Sequence, residues 1–153
     1  YVDSKIKFAR EVQKKRKEQL VIVYIYDTFG INDKRKKLLS IWIKQLLKNE
    51  PVTIFSNKTI LNLSSNKFVS KLLSKSIRLN PGKYEIRSEI EISLLDLYEF
   101  LKKITGSKSD VIIKNKKPII IHKKYENISD IFKIRYTMND FEKDILELVN
   151  KAF

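Results

Sequence analysis

Residues 20–27 read LVIVYIYD. The run is short and rich in β-branched side chains, so it is read as a buried strand that closes on the carboxylate of Asp27. Working outward, Thr28 to Asn32 form a turn around Gly30, and a helix capped by Asn32 or Asp33 follows. Leu38, Leu39, Trp42, Ile43, Leu46 and Leu47 give that helix its core face, and Pro51 ends it. Its first turn carries Lys34, Arg35, Lys36 and Lys37, where the helix macrodipole disfavours cations by about 0.3–1 kcal/mol each. An anion is expected beside them.

Upstream, residues 1–19 are expected to form a peripheral basic helix. Its apolar stripe of Ile6, Ala9 and Val12 is narrow and lies beside Lys14, Lys15, Arg16 and Lys17. Downstream, PVTIF (51–55) is a short strand. Phe68, Val69, Leu72 and Leu73 mark a helix whose outer positions Lys67, Lys71 and Lys75 are all basic.

The stretch KYEIRSEIEI (83–92) alternates strictly. As one strand it would set Tyr84, Ile86, Ser88, Ile90 and Ile92 on one face and Lys83, Glu85, Arg87, Glu89 and Glu91 on the other. Ser93 then caps a helix through Ile104, with Asp96 at capping-box spacing and Gly106 closing it. Residues 111–124 read as two strands around a basic turn, 131–136 as a further short strand, and Thr137–Asp140 as the capping box of a last helix. Helices and strands interleave without a regular βαβ repeat. The expected fold is therefore α+β, a single domain over 1–153, with a mixed or antiparallel sheet of about 4–6 strands and helices packed on it.

The chain has 153 residues and a net charge of +14, from 32 Lys and Arg against 18 Asp and Glu. An excess of that size speaks of partners, with nucleic acid first. It is uneven, since residues 51–84 hold six cations and no acid. Cysteine is absent, which excludes thiol chemistry and cysteine-zinc sites and suits an intracellular setting, the host cytoplasm if the chain is viral. No apolar run reaches the roughly 18–20 residues of a membrane span, so no membrane partner is expected. The three glycines form neither GxGxxG nor GxxxxGK[ST], so no small-molecule nucleotide cradle of Gly-rich type is expected either. His122 stands alone and is read as structural.

Carboxylates, lysines and arginines then remain for chemistry. They are the groups used in metal-dependent phosphodiester hydrolysis, where oxygen ligands hold Mg²⁺ or Mn²⁺, the ion activates water, and cations stabilise the developing charge. Glu85, Glu89 and Glu91 share the strand face, with Asp27 as a fourth candidate metal ligand. Lys83 and Arg87 flank Glu85 as phosphate-binding groups. Lys14 to Lys17, Lys34 to Lys37, and Lys67, Lys71 and Lys75 are the candidate nucleic-acid contacts.

Glu89-Ile90-Glu91-Ile92 resembles the acid-hydrophobic-acid-hydrophobic strand of the nucleotidyltransferase superfamily, whose carboxylates bind catalytic metal ions. That family's Gly-Ser precedes its acids, whereas Gly106-Ser107 here follows them. In length, Lys/Ile-rich composition and acidic strand, the chain also resembles small nucleases of filamentous viruses that infect hyperthermophilic archaea, which implies double-stranded DNA as substrate. Asp27-Thr28 after an apolar strand is similar to the opening of PIN-type ribonucleases. The expected function is a metal-dependent DNA nuclease, with a non-catalytic, sequence-independent DNA-binding protein of viral or plasmid origin as the alternative.

Overall fold

The computed structural model describes residues 2–16, 19–31, 33, 35, 37–114, 116–118 and 124–152. Its elements run α1 (Val2–Arg16), β1 (Val21–Ile25), β2 (Asp27–Phe29), α2 (Leu38–Leu47), β3 (Val52–Ile54), β4 (Ile60–Ser65) and α3 (Asn66–Ser76). Then follow β5 (Gly82–Ile86), β6 (Glu91–Ser93), α4 (Leu94–Thr105), β7 (Val111–Ile113), β8 (Glu126–Asn127), α5 (Ile128–Ile131) and α6 (Met138–Ala152). The chain is thus mixed α and β, as its interleaved patterns imply.

The sheets differ from expectation in direction. In place of one mixed or antiparallel sheet there are, among the described residues, three small ones, and four of their five strand pairs are parallel. Strands β1, β5 and β8 form an all-parallel sheet in the order β1-β5-β8, with Tyr24 opposite Glu85 and Glu85 opposite Asn127. Strand β2 pairs parallel with β4, β4 pairs antiparallel with β6, and β3 pairs parallel with β7. Each parallel pair is joined through a helix, because parallel strands need a crossover connection.

The strand expected over 20–27 is two strands, its first part is half-buried to exposed rather than buried, and β2 runs on through Phe29 where a turn was expected. Between them Tyr26 breaks the ladder, and β2 moves to a different sheet. The alternating stretch 83–92 breaks more sharply, into β5 and β6. Asn62, fully buried, donates from Nδ2 to the carbonyls of Ser88 at 3.0 Å and Ile90 at 3.3 Å, and accepts the Ser88 N–H at 3.1 Å. Those bonds satisfy the backbone that a continuous ladder would have used. The two halves therefore face different surroundings.

Three caps form as read. Ser93 Oγ accepts the Asp96 N–H at 3.1 Å, Thr137 N–H donates to Asp140 Oδ2 at 3.0 Å, and Gly106 takes φ 65° at the C-terminus of α4. The strand expected over 131–136 is instead the end of α5 and a turn, since Asn127 Oδ1 accepts the Ser129 N–H at 2.9 Å and starts a short helix. The second strand of 111–124 and His122 lie outside the described residues.

The core lies where the helices meet the sheets. Ile43 and Leu46 of α2, Leu97, Tyr98 and Leu101 of α4, and Phe141 and Ile145 of α6 are all essentially excluded from solvent. The Phe141 ring meets Phe29 edge-on at 5.5 Å and Phe100 at 5.3 Å, which fixes the end of β2 between α4 and α6. The β2–α2 connection therefore emerges at the rim of a rigid core.

Candidate functional site

The connection out of β2 walls a cavity of about 340 Å³. Tyr26, Asp27 and Thr28 supply one side, Arg35, Lys37, Leu38 and Leu39 the approach to α2, and Leu61 and Leu63 the floor. The strand register explains the floor: Asp27 lies opposite Leu63 in the β2–β4 pair, so both side chains leave the sheet on the same face. The result is an apolar slot with charged groups at its mouth, the composition of a small-molecule site.

Lys37 is held rather than free. Its Nζ donates to the Thr28 carbonyl at 2.7 Å and to Thr28 Oγ1 at 3.0 Å, and stands 3.4 Å from Asp33 Oδ2. Asp33 also receives Arg35 through Nε and Nη2, both at 2.8 Å. The Arg35 hydrogen bonds, with the Lys37 charge, hold the Asp33 carboxyl far below the usual carboxylate range. Asp33 is thus an anion set among the cations of residues 34–37. Helix α2 begins only at Leu38, so none of those cations sits inside its first turn, and Lys34 and Lys36 lie outside the described residues. At the other side, desolvation raises the Asp27 carboxyl above its ordinary value, against the pull of Lys37.

Behind the slot a chain of polar contacts joins Tyr26 to Glu85, Arg87 and Glu91. Tyr26 donates its hydroxyl to Glu85 Oε2 at 2.5 Å, and the Glu85 side chain is only 2% exposed. Arg87 Nη1 stands 3.9 Å from Glu85 Oε1, its guanidinium lies 5.6 Å from the Tyr26 ring centre, and its Nη2 pairs with Glu91. Burial, reinforced by the Glu85 bond, pushes the Tyr26 phenol up to about 12. Tyr26 is therefore a neutral donor at physiological pH, anchored at its far end.

The acidic cluster expected on one strand face is dispersed. Glu85 is buried on β5, Glu89 lies in the β5–β6 connection and pairs with Arg135 at 3.2 Å, and Glu91 opens β6, which shares a sheet with the β2 strand of Asp27 but lies across β4 from it. Among the described residues no three His, Cys, Asp or Glu side chains are grouped to hold a metal ion. Lys83 is exposed on β5. Of the cations expected to contact nucleic acid, Lys14, Lys15 and Arg16 are exposed on α1, Lys67 and Lys71 on α3, and Lys75 lies 5.6 Å from the Phe132 ring. Lys17 is outside the described residues.

No protein-family model matches the sequence, and no curated protein does. Solved structures do. The UDP-glucose 4-epimerase of Thermotoga maritima with UDP-glucose matches with a TM-score of 0.75 at 12% identity, over 95% of this chain and 49% of that one. The UDP-glucuronic acid 4-epimerase of Bacillus cereus, in complex with UDP-glucuronic acid and NAD, gives 0.74 at 16% identity over 96% and 50%. The dTDP-glucose 4,6-dehydratase of Bacillus anthracis in complex with NAD gives 0.72 at 14% identity over 94% and 47%.

These matches overturn the expected likeness to nucleotidyltransferases and archaeal-virus nucleases, and with it the DNA nuclease and its DNA-binding alternative. They equally overturn Mg²⁺ or Mn²⁺ as cofactor and double-stranded DNA as partner, since the matched proteins hold nucleotide sugars and NAD. The expectation of no small-molecule nucleotide site falls with them. The physical reason is that a +14 charge and an alternating acidic strand are surface properties, which constrain a fold weakly. In localisation, only one part of the reading stands: no helix among the described residues is long and apolar enough to cross a membrane. The chain spans about half the length of the solved structures it matches, and its fold is similar to that of the matched part of those proteins.

Proposed function

We propose that this chain forms the nucleotide-sugar-binding half of an enzyme of the epimerase or dehydratase type, with the slot between β2 and α2 as the site for a nucleoside diphosphate sugar. The observation that carries the reading is the match over 94–96% of the chain to proteins solved with such ligands or their cofactor. The chemistry of the slot agrees with it. Arg35 offers a charge-assisted donor to a diphosphate, Lys37 adds positive charge beside it, Asp27 offers an acceptor to sugar hydroxyls, and Leu61, Leu63 and the Tyr26 ring offer apolar walls to a flat ring.

NAD does not fit the residues of this chain. A dinucleotide pyrophosphate rests on a Gly-rich turn between a strand and a helix, where the backbone approaches it closely. The three glycines here are spent elsewhere. A Cβ on Gly30 would meet Asn66 at 2.6 Å, one on Gly82 would meet the Tyr84 ring at 3.1 Å, and Gly106 closes α4 in a left-handed conformation. The proposed role is therefore confined to holding and orienting the sugar nucleotide: the cations fix the diphosphate, the walls exclude water, and Asp27 orients the sugar.

Isothermal titration with UDP-glucose and with UDP tests this reading. Binding of both is expected, weakened about tenfold, roughly 1.4 kcal/mol, by Arg35→Ala, whose side chain is 68% exposed and so removable without unfolding the chain. Lys37→Ala should weaken it at least as much. Absence of binding at millimolar UDP-glucose, or equal affinities in wild type and both variants, refutes it.

A further inference from the structure

We propose that Asp27 sets the sugar specificity of the slot: its carboxylate takes the hydroxyl donors of an uncharged hexose and rejects a sugar that carries a carboxylate of its own. The inference rests on the nucleotide-sugar reading and extends it from the diphosphate end of the slot to the sugar end.

The first observation is an unused acceptor. Asp27 lines the slot from β2, and its register opposite Leu63 puts both side chains on the same face of the sheet, above the apolar floor. Desolvation there raises its carboxyl, and among the described residues no group donates a hydrogen bond to either oxygen. Lys37 acts on it through charge alone. An ionised carboxylate can only accept, at about four lone-pair sites, so a partly desolvated one without donors is left unsatisfied. Its polar neighbours are engaged elsewhere. Tyr26 donates its hydroxyl to Glu85 at 2.5 Å, Lys37 Nζ donates to the Thr28 carbonyl and Oγ1, and Arg35 binds Asp33 through two nitrogens. The donors that Asp27 lacks must come from a ligand.

Charge is the second observation. Arg35 and Lys37 are the cations among the described residues of the slot, and both are held by Asp33. With Asp27 included, two cations meet two anions, and a diphosphate draws on the cations first. A further negative group on the sugar finds no other described cation in the lining. Beside Asp27 it meets a like charge between Leu61 and Leu63, where water screens poorly. A hydroxyl in that place does the opposite, because it completes a charge-assisted hydrogen bond. The two sugars are thus separated both by an attraction that only one can make and by a repulsion that only the other suffers.

Isothermal titration at about pH 8, well above the ordinary carboxylate range, tests the proposal with UDP, UDP-glucose and UDP-glucuronic acid as probes. The two sugar nucleotides differ only in whether the last sugar carbon is a hydroxymethyl group or a carboxylate. The wild-type protein is expected to bind UDP-glucose roughly tenfold or more tightly than UDP-glucuronic acid. In Asp27→Asn the side chain keeps its size, loses its charge and gains an N–H donor, so that ratio should fall below about threefold through tighter binding of UDP-glucuronic acid. A merely structural role for Asp27 would weaken both sugar nucleotides together. That result, equal wild-type affinities for the two, or a ratio unchanged in the variant overturns the proposal, and the wild-type ratio decides by itself if the variant does not fold. UDP that binds while the two sugars are not told apart confines the failure to Asp27. If UDP does not bind, the nucleotide-sugar reading falls and this inference with it.

Discussion

Tyr26→Phe removes one hydroxyl and nothing else from the wall of the slot, and its cost can be worked from the geometry. The hydroxyl donates to a carboxylate at 2.5 Å, and that carboxylate, on Glu85, is 2% exposed. A hydrogen bond to a charged group contributes about 1.5–3 kcal/mol, and here its loss leaves Glu85 with Arg87 Nη1 at 3.9 Å as its nearest charged neighbour. At roughly 2–4 °C per kcal/mol for a chain of this size, the melting temperature should drop by about 3–12 °C. Urea unfolding at neutral pH gives the free energy directly. The cycle with Glu85→Gln isolates the charge, because a glutamine oxygen still accepts from the phenol but carries none. In that background Tyr26→Phe should cost only about 0.5–1.5 kcal/mol. Equal costs in the two backgrounds, or a cost below about 0.5 kcal/mol in wild type, would mean that the short contact between Tyr26 and Glu85 contributes little and that the ring is not anchored.

Two further outcomes concern the elements around the slot. Glu147 on α6 pairs with Lys151 at 2.8 Å and with Lys67 of α3, and those hydrogen bonds lower its carboxyl from 4.5 to about 2. Because the folded value is depressed, the stabilisation is fully present above pH 4.5 and is lost as pH falls towards 2. A melting series over that window should flatten in Glu147→Gln, and an unchanged slope refutes the α3–α6 link. Gly30→Ala sets a Cβ 2.6 Å from Asn66 Nδ2 and 3.1 Å from Asn66 Cβ, so the Asn66 side chain must turn aside and its Cβ give by a few tenths of an ångström. A loss of about 1–3 kcal/mol in urea unfolding is expected, and an unmoved midpoint refutes the close approach.

What the sequence determined by itself was local. Strand β1, the core faces of α2 and α3 apart from the exposed Leu47 and Leu73, the Ser93 and Thr137 caps and the Gly106 terminus follow from side-chain period and cap chemistry acting within a few residues. Asp27 stood out because an apolar run ends on it, but as a metal ligand, and that role falls with the metal reading. What only the tertiary structure decided was which segments meet. The alternation of 83–92 predicts one flat acidic face, but Asn62, 26 residues away from Ser88, takes over its backbone bonds and splits it in two. The carboxylate expected to be the reactive one, Glu85, is turned inward to Tyr26 across 59 residues of chain. Strand direction was equally hidden, because parallel and antiparallel partners place the same demands on a single strand and differ only in how the chain returns. Bonds that span such separations leave no periodic trace in the residues that make them, and here those bonds, rather than the net charge, decide which groups face the slot.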